Sequence, residues 1–383
     1  MAGLLWKLCC TSPRFLGVFI GALLSTIGIG QTTARFDTIA VTPNGDMYVL
    51  FDGLSSGIWM ISDDGKRVIL HSFLKDMSHG WSPVGFVLDS KGNLFGTCSA
   101  GGAHDQGTIW EISSGGSYTV LYSFNEARPG ERGLRPNGIA VNEKGDLFGI
   151  CSEGGPSGYG TVWELSTGGS FTTLHSFGVT KPDGKLPIGS LTIDREGNLF
   201  GTCYHGGGPG ADGTLWEVIA GGGYKTVHTF GMADSDGKGP TCGACVDSKG
   251  NLFGTCEYGG LAGSGIVWEI SLNGTEKILH EFGTHAPDCK APYSIYLDQV
   301  GNIFGMAASD SHDCRTVWEL SATKIFRILH SFESHDLAYG LAMNPQGDIF
   351  GTFGLDSHEN ITEGGTIWEL PQYGTYKKLS PPQ

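Results

Sequence analysis

Charge is what this chain has least of. Only 16% of its residues are charged, and 24 Lys and Arg stand against 39 Asp and Glu, for a formal charge of −15 at pH 7. No basic cluster occurs beyond the N-terminus, so nothing is arranged to release counterions from a phosphate backbone, and nucleic acid is excluded as a partner. Helical periodicity is missing from the repeats. A second long apolar run is missing too, so nothing after residue 30 could span a membrane. No convergent nucleophile, base and oxyanion donor stands out, nor any strong catalytic motif. What abounds is glycine, 63 residues in 383. Without a collagen period, that abundance points to many short strands joined by tight turns.

The apolar run lies at the start. Lys7 and Arg14 precede residues 15–30, which carry no charge and only Ser25 and Thr26 as polar side chains. Residues 1–34 are therefore expected to be a signal peptide cut after Gly30 or Ala34, or an uncleaved anchor. Either way the remainder is exported, to the periplasm, the cell surface or the medium. Contact with a membrane would come only through that segment, left uncleaved.

Two marks then recur. A turn glycine before Asn or Asp falls at Gly45, Gly92, Gly145, Gly197, Gly250, Gly301 and Gly347. A tryptophan falls at Trp59, Trp110, Trp163, Trp216, Trp268, Trp318 and Trp368. Both series repeat at roughly 50 residues, the scale of propeller blades. In the third copy four strands are expected, at 138–142, 147–152, 161–166 and 171–177, with both faces apolar because neighbouring blades cover them. The predicted fold is all-β: a seven-bladed β-propeller of four-stranded antiparallel blades over 35–383. Its blades fall at about 36–73, 82–124, 135–177, 186–230, 239–282, 291–332 and 336–380. Blade one starts with its innermost strand and blade seven ends with its outermost. No strand-swapped closure is therefore available, and the two must meet by side-chain packing. A monomer is expected.

Glu164 and His175, Glu217 and His228, Glu269 and His280, and Glu319 and His330 share one spacing. A two-residue turn would set Glu164 opposite Thr173 and bring His175 diagonally beside it. Pairs recurring in nearly every blade are read as structural, since no single site needs so many copies.

Length varies in two connections, from second to third strand and from each blade to the next; an antiparallel blade puts both at one end. Irregular loops on a rigid scaffold are where binding groups are usually carried. The second–third loops carry His104-Asp105, His205, Asp310 with His312-Asp313, and Asp356 with His358-Glu359. The inter-blade loops carry Asp76, His79, Asp183, Asp234, Asp236, His285, Asp288 and His335-Asp336. Such a rim could hold a divalent cation, calcium or zinc, although no pair has a diagnostic ligand spacing and no metal ligands are assigned. The positions eight before the turn glycine start the innermost strands, and Asp37, Asn137, Tyr293 and Tyr339 there could line a small polar ligand site at the channel mouth. Cys98, Cys151, Cys203 and Cys256 share one repeat position and are expected to be buried thiols. Cys242 and Cys245, on a strand, point to opposite faces. Cys289 and Cys314 stand at the variable end of blade six and are expected to form a disulfide, which export permits.

Gly-Asn-Leu-Phe-Gly-Thr, a Gly-Gly loop and Gly-Thr-Val-Trp-Glu-Leu-Ser resemble the GloVer-type choice-of-anchor tandem repeat of bacterial exported proteins. Six copies match well, and the first is degenerate. The chain has Phe-Gly-Thr-Cys and Trp where that family usually has Tyr-Gly-Thr-Thr and Phe. A Pro-x-Gly strand start and the Gly-Asn turn are distantly similar to NHL-type propellers. The resemblance implies a secreted or surface repeat protein of unassigned activity. Two functional classes stay open. One is a binding or scaffold propeller engaging a glycan, peptide or protein through the variable loops. The other is a propeller enzyme, a lactonase-like hydrolase or a lyase, with a metal or a His–carboxylate pair at the channel mouth.

Overall fold

The computed structural model describes residues 19–20, 38–51, 56–73, 79–125, 133–179, 182–233, 235–271, 274–284, 288–309, 314–333, 336, 338–353, 366–372 and 374–379. The fold is an all-β, seven-bladed propeller of antiparallel four-stranded sheets, each built from four strands in chain order. Blade three shows the pattern with strands Gly133–Val141, Leu147–Gly154, Thr161–Leu165 and Phe171–Ser176. The first strand of blade five is broken into Gly237–Pro240 and Cys245–Val246, and Phe19–Ile20 runs antiparallel beside Thr38–Val41 of blade one. No helix among the described residues is long and apolar enough to cross a membrane. The chain divides into two compact units, one holding blades one to three and seven, the other blades four to six.

The third strand is rich in β-branched and aromatic residues, as in Thr161–Leu165, and it is buried on both faces. Its tryptophan is 0% exposed in blades two to seven. Each of these rings lies opposite a second-strand glycine, as Trp163 does opposite Gly149. The residue after the turn glycine ties two turns together. Asn93 donates to Asp89 across the first–second turn, and its Oδ1 accepts from the Ser114 amide of the third–fourth turn at 2.9 Å. Asp146, Asn198, Asn302 and Asp348 make the same link. Both short turns of a blade are thereby held at one end, and the variable connections emerge at the other.

The first and last blades meet as expected, without strand exchange among the described residues. Ile39, Val41, Val49, Phe51 and Ile61 of blade one pack with Ala342, Phe350 and Ile367 of blade seven. One polar link joins this packing, from Arg67 Nη2 to the Leu379 carbonyl at 3.3 Å.

The expected Glu–His pairing is corrected. The turn takes three residues, Thr167 to Gly169, between Ser166 and Ser170, which sets Glu164 opposite Thr172 and Trp163 opposite Thr173, and a bulge beyond Trp163 then brings His175 opposite Val162. Three of the glutamates pair instead with the cation directly across the ladder: Glu217 with Lys225 at 2.7 Å, Glu319 with Arg327 at 2.6 Å, and Glu369 with Lys377 at 3.2 Å. Several of the histidines meet a residue of the next blade.

Candidate functional site

In blades one, two and five the ring near the end of the fourth strand meets the residue that begins the next blade's fourth strand. His71 stacks on Tyr118 at 3.6 Å, Tyr122 on Phe171 at 4.3 Å and His280 on Phe326 at 3.6 Å, all within 11° of parallel. Where that residue is tyrosine its hydroxyl also donates a hydrogen bond: Tyr118 to the His79 carbonyl at 2.7 Å, and Tyr224 to Asp183 Oδ1 at 2.8 Å.

Burial favours the neutral form of His71. Burial, and then the neighbouring His79, push its pKa down from 6.5 to about 4. The unfolded chain takes up this proton below about pH 6.5 and the folded one does not, so this contribution to stability is lost as pH falls from 6.5 through 4. The ring is only half-buried, and solvent screening reduces the effect to about 1 kcal/mol. His71→Phe keeps the stack without the titration. Its urea midpoint is expected to drop less than wild type between about pH 7 and about pH 4.5. Equal drops would show that His71 does not contribute.

Between blades four and five the pattern breaks, because Glu276 stands where the stacking residue belongs. His228 comes from the fourth strand of blade four, Asp236 from the loop leading into blade five, and Glu276 from the fourth strand of blade five. His228 Nε2 is 3.8 Å from Asp236 Oδ1 and 3.7 Å from Glu276 Oε2. All three ligand atoms lie within 4.8 Å of one another. The loop is fixed: Asp236 Oδ2 accepts from the Met232 amide at 3.0 Å, the Asp236 amide donates to the Ala233 carbonyl, and the Asp236 carbonyl accepts from Gly260. The side chains of His228, Asp236 and Glu276 are 17, 7 and 20% exposed, and His228 Nε2, Asp236 Oδ1 and Glu276 Oε1 are buried without a hydrogen bond. Burial and the Asp236 charge push the Glu276 carboxyl up to about 7. Burial acts to raise Asp236 too, but His228 and the Met232 amide outweigh it and hold that carboxyl below its usual range.

From sequence, Asp236 falls among the loop candidates, His228 among the structural pairs, and Glu276 goes unremarked. A signal was there: His175 and Asp183, His228 and Asp236, and His280 and Asp288 share one eight-residue spacing. In the structure His280 Nε2 approaches Asp288 Oδ2 to 3.4 Å.

The channel-mouth residues Asn137, Tyr293 and Tyr339 are buried, at 3, 4 and 6% exposure. His104 is exposed beside Asp105, which accepts from Trp81 Nε1 and the Gly101 amide. His205 is also exposed, its ring edge-on to Tyr204 at 4.7 Å. Asp37, His312 and His358 lie outside the described residues. Cys289 and Cys314 are joined in a disulfide, with Cα atoms 5.9 Å apart. Cys98, Cys151, Cys203, Cys242, Cys245 and Cys256 are buried thiols outside any disulfide.

Residues 43–244, just over half of the chain, match a family model described as the Gloeobacter/Verrucomicrobia repeat. No protein of curated function matches. Among solved structures, a streptogramin B lyase has a TM-score of 0.58 at 12% identity, covering 89% of this chain and 96% of that one. A catalytically inactive virginiamycin B lyase from Staphylococcus aureus, solved with quinupristin, has a TM-score of 0.54 at 13% identity, covering 89% and 92%. A functionally unknown protein from Desulfotomaculum acetoxidans has a TM-score of 0.52 at 13% identity, covering 84% and 90%. At these identities the likeness is one of fold.

Proposed function

The chain belongs to the Gloeobacter/Verrucomicrobia repeat family, and on that premise we propose that it is an exported binding propeller whose variable loops engage a peptide or protein. The observation that carries this reading is where apolar side chains are left in water. Leu261 is 81% exposed and Tyr258 41%, both at the second–third connection of blade five, and Met232, in the loop that leads into that blade, is 65% exposed. Exposed apolar residues grouped on irregular loops mark interaction surfaces, where aromatic and Met side chains are enriched. Single exposed residues on the short turns, such as Ile325 and Val300, need no such account. The buried Cys289–Cys314 disulfide and the apolar 15–30 segment support export. A glycan ligand is the variant of this reading that the same test separates.

The test is binding of the full chain to peptide and glycan arrays, followed by variants. Leu261→Arg with Tyr258→Ala is expected to weaken any array ligand at least about tenfold, the scale of losing a buried anchor. Ile325→Arg, at the opposite end of its blade, is expected to leave it unchanged. A ligand lost with Ile325→Arg and kept by the double variant would place the surface elsewhere and overturn the proposal.

A further inference from the structure

We propose that His228, Asp236 and Glu276 form a zinc-class cation site that clamps the outer strand of blade four to that of blade five. The reasoning starts from what Glu276 replaces. At the preceding corresponding position Tyr224 donates its hydroxyl to Asp183; at this one the donor has become a second carboxylate facing Asp236 and His228. Two carboxylates held together out of water repel unless a cation lies between them. Asp236 is the fixed member, 93% buried, with one oxygen on the Met232 amide and the other unpaired toward the cluster.

The donor set selects the ion. Calcium and magnesium take six or more oxygens, and this cluster offers two carboxylates and an imidazole. One nitrogen and two oxygens suit zinc or a similar first-row divalent ion. Zinc–donor bonds of about 2.0–2.2 Å imply tetrahedral donor separations of about 3.3 Å. The 3.7 and 3.8 Å separations from His228 close to that by movements of a few tenths of an ångström, and the two carboxylates, within 4.8 Å of each other, by rotation of the more exposed Glu276. The side chains keep 7 to 20% exposure, which leaves the fourth position to water. The clamp takes the place of the ring stacking seen for His71, Tyr122 and His280. It is independent of the binding-propeller reading.

The test uses the full chain, stripped with chelator and titrated with zinc chloride at about pH 8, where the two carboxylates are ionised. One equivalent should bind, and at a hundred times its Kd should raise Tm by about 3 °C or more. Calcium chloride in the same titration should give no shift. Glu276→Tyr restores the residue type of Tyr118 and Tyr224; it should fold with at least the Tm of the stripped wild type and show no zinc response. Asp236→Asn, nearly isosteric, should weaken zinc at least about tenfold and keeps the test open if Glu276→Tyr does not fold. Wild type taking up no zinc, or taking it up undiminished in a folded variant, would overturn the site; in the first case a shared proton balances the carboxylates.

Discussion

Gly149→Ala is expected to cost about 3 kcal/mol or more, at or beyond the upper end for an overpacked core. A Cβ at this position would lie 2.1 Å from Trp163 Cζ2 and 2.5 Å from the Gly138 carbonyl oxygen. Neither can give way: the carbonyl is backbone of the adjoining strand, and the Trp163 ring is 0% exposed with Phe124 and Phe171 against it. The backbone here does not have positive φ, so the effect is packing and not conformational strain. Gly96, Gly254, Gly305 and Gly351 meet their tryptophans at 2.1 to 2.2 Å in the same way. Blade one shows the other solution. There Val49 faces Trp59, and Trp59 is only partly buried. A side chain at the glycine position therefore pushes the ring toward solvent. Gly115→Ala, whose nearest neighbour is Ser113 Oγ at 3.7 Å, is the control and should stay within about 0.5 kcal/mol of wild type. Guanidinium denaturation of both variants decides it: coincident midpoints would mean that the tryptophan shelf tolerates a methyl group.

The same glycine explains why the fold was legible. Gly-Asn-Leu-Phe-Gly and Trp-Glu recur because partners lie in the same blade: Asn ties two turns, Gly admits the ring, and Glu217, Glu319 and Glu369 pair across the ladder. Constraints internal to one repeat leave a periodic trace. The Thr173 register was missed because the Gly-Gly turn takes three residues where two were counted, and the glycine pair alone does not show its length. The His228 cluster was missed because its members come from two blades, and its clearest sign is a departure from the pattern, Glu276 in place of an aromatic. The channel-mouth positions were read as ligand-lining because they are polar and do not repeat. Asn137, Tyr293 and Tyr339 are buried on the innermost strands, and how deep such positions lie leaves no mark in one sequence.

Breaking the Cys289–Cys314 bond is expected to cost about 3 kcal/mol, the loop-closure entropy of cysteines 25 residues apart. Its location shows what the bond replaces. In blades three and four the first two strands pair out to Gly133–Gly154 and Gly184–Gly206. In blade six the ladder begins only at Pro292–Ala307, and both strands are six residues long. The disulfide takes over where that ladder stops, joining the lead-in to the first strand to the second–third loop, beside the Ser309 amide bond to the Cys314 carbonyl. Cys289 is 1% exposed, so replacement by serine also buries a hydroxyl, and alanine is the cleaner change. The double variant Cys289→Ala, Cys314→Ala should lower the denaturation midpoint, and dithiothreitol should lower the wild type to the same value. Reductant should not move the double variant, because the remaining described cysteines are already thiols outside any disulfide. If reductant leaves the wild-type midpoint in place, the bond contributes nothing to stability, and support for export from this pair falls with it.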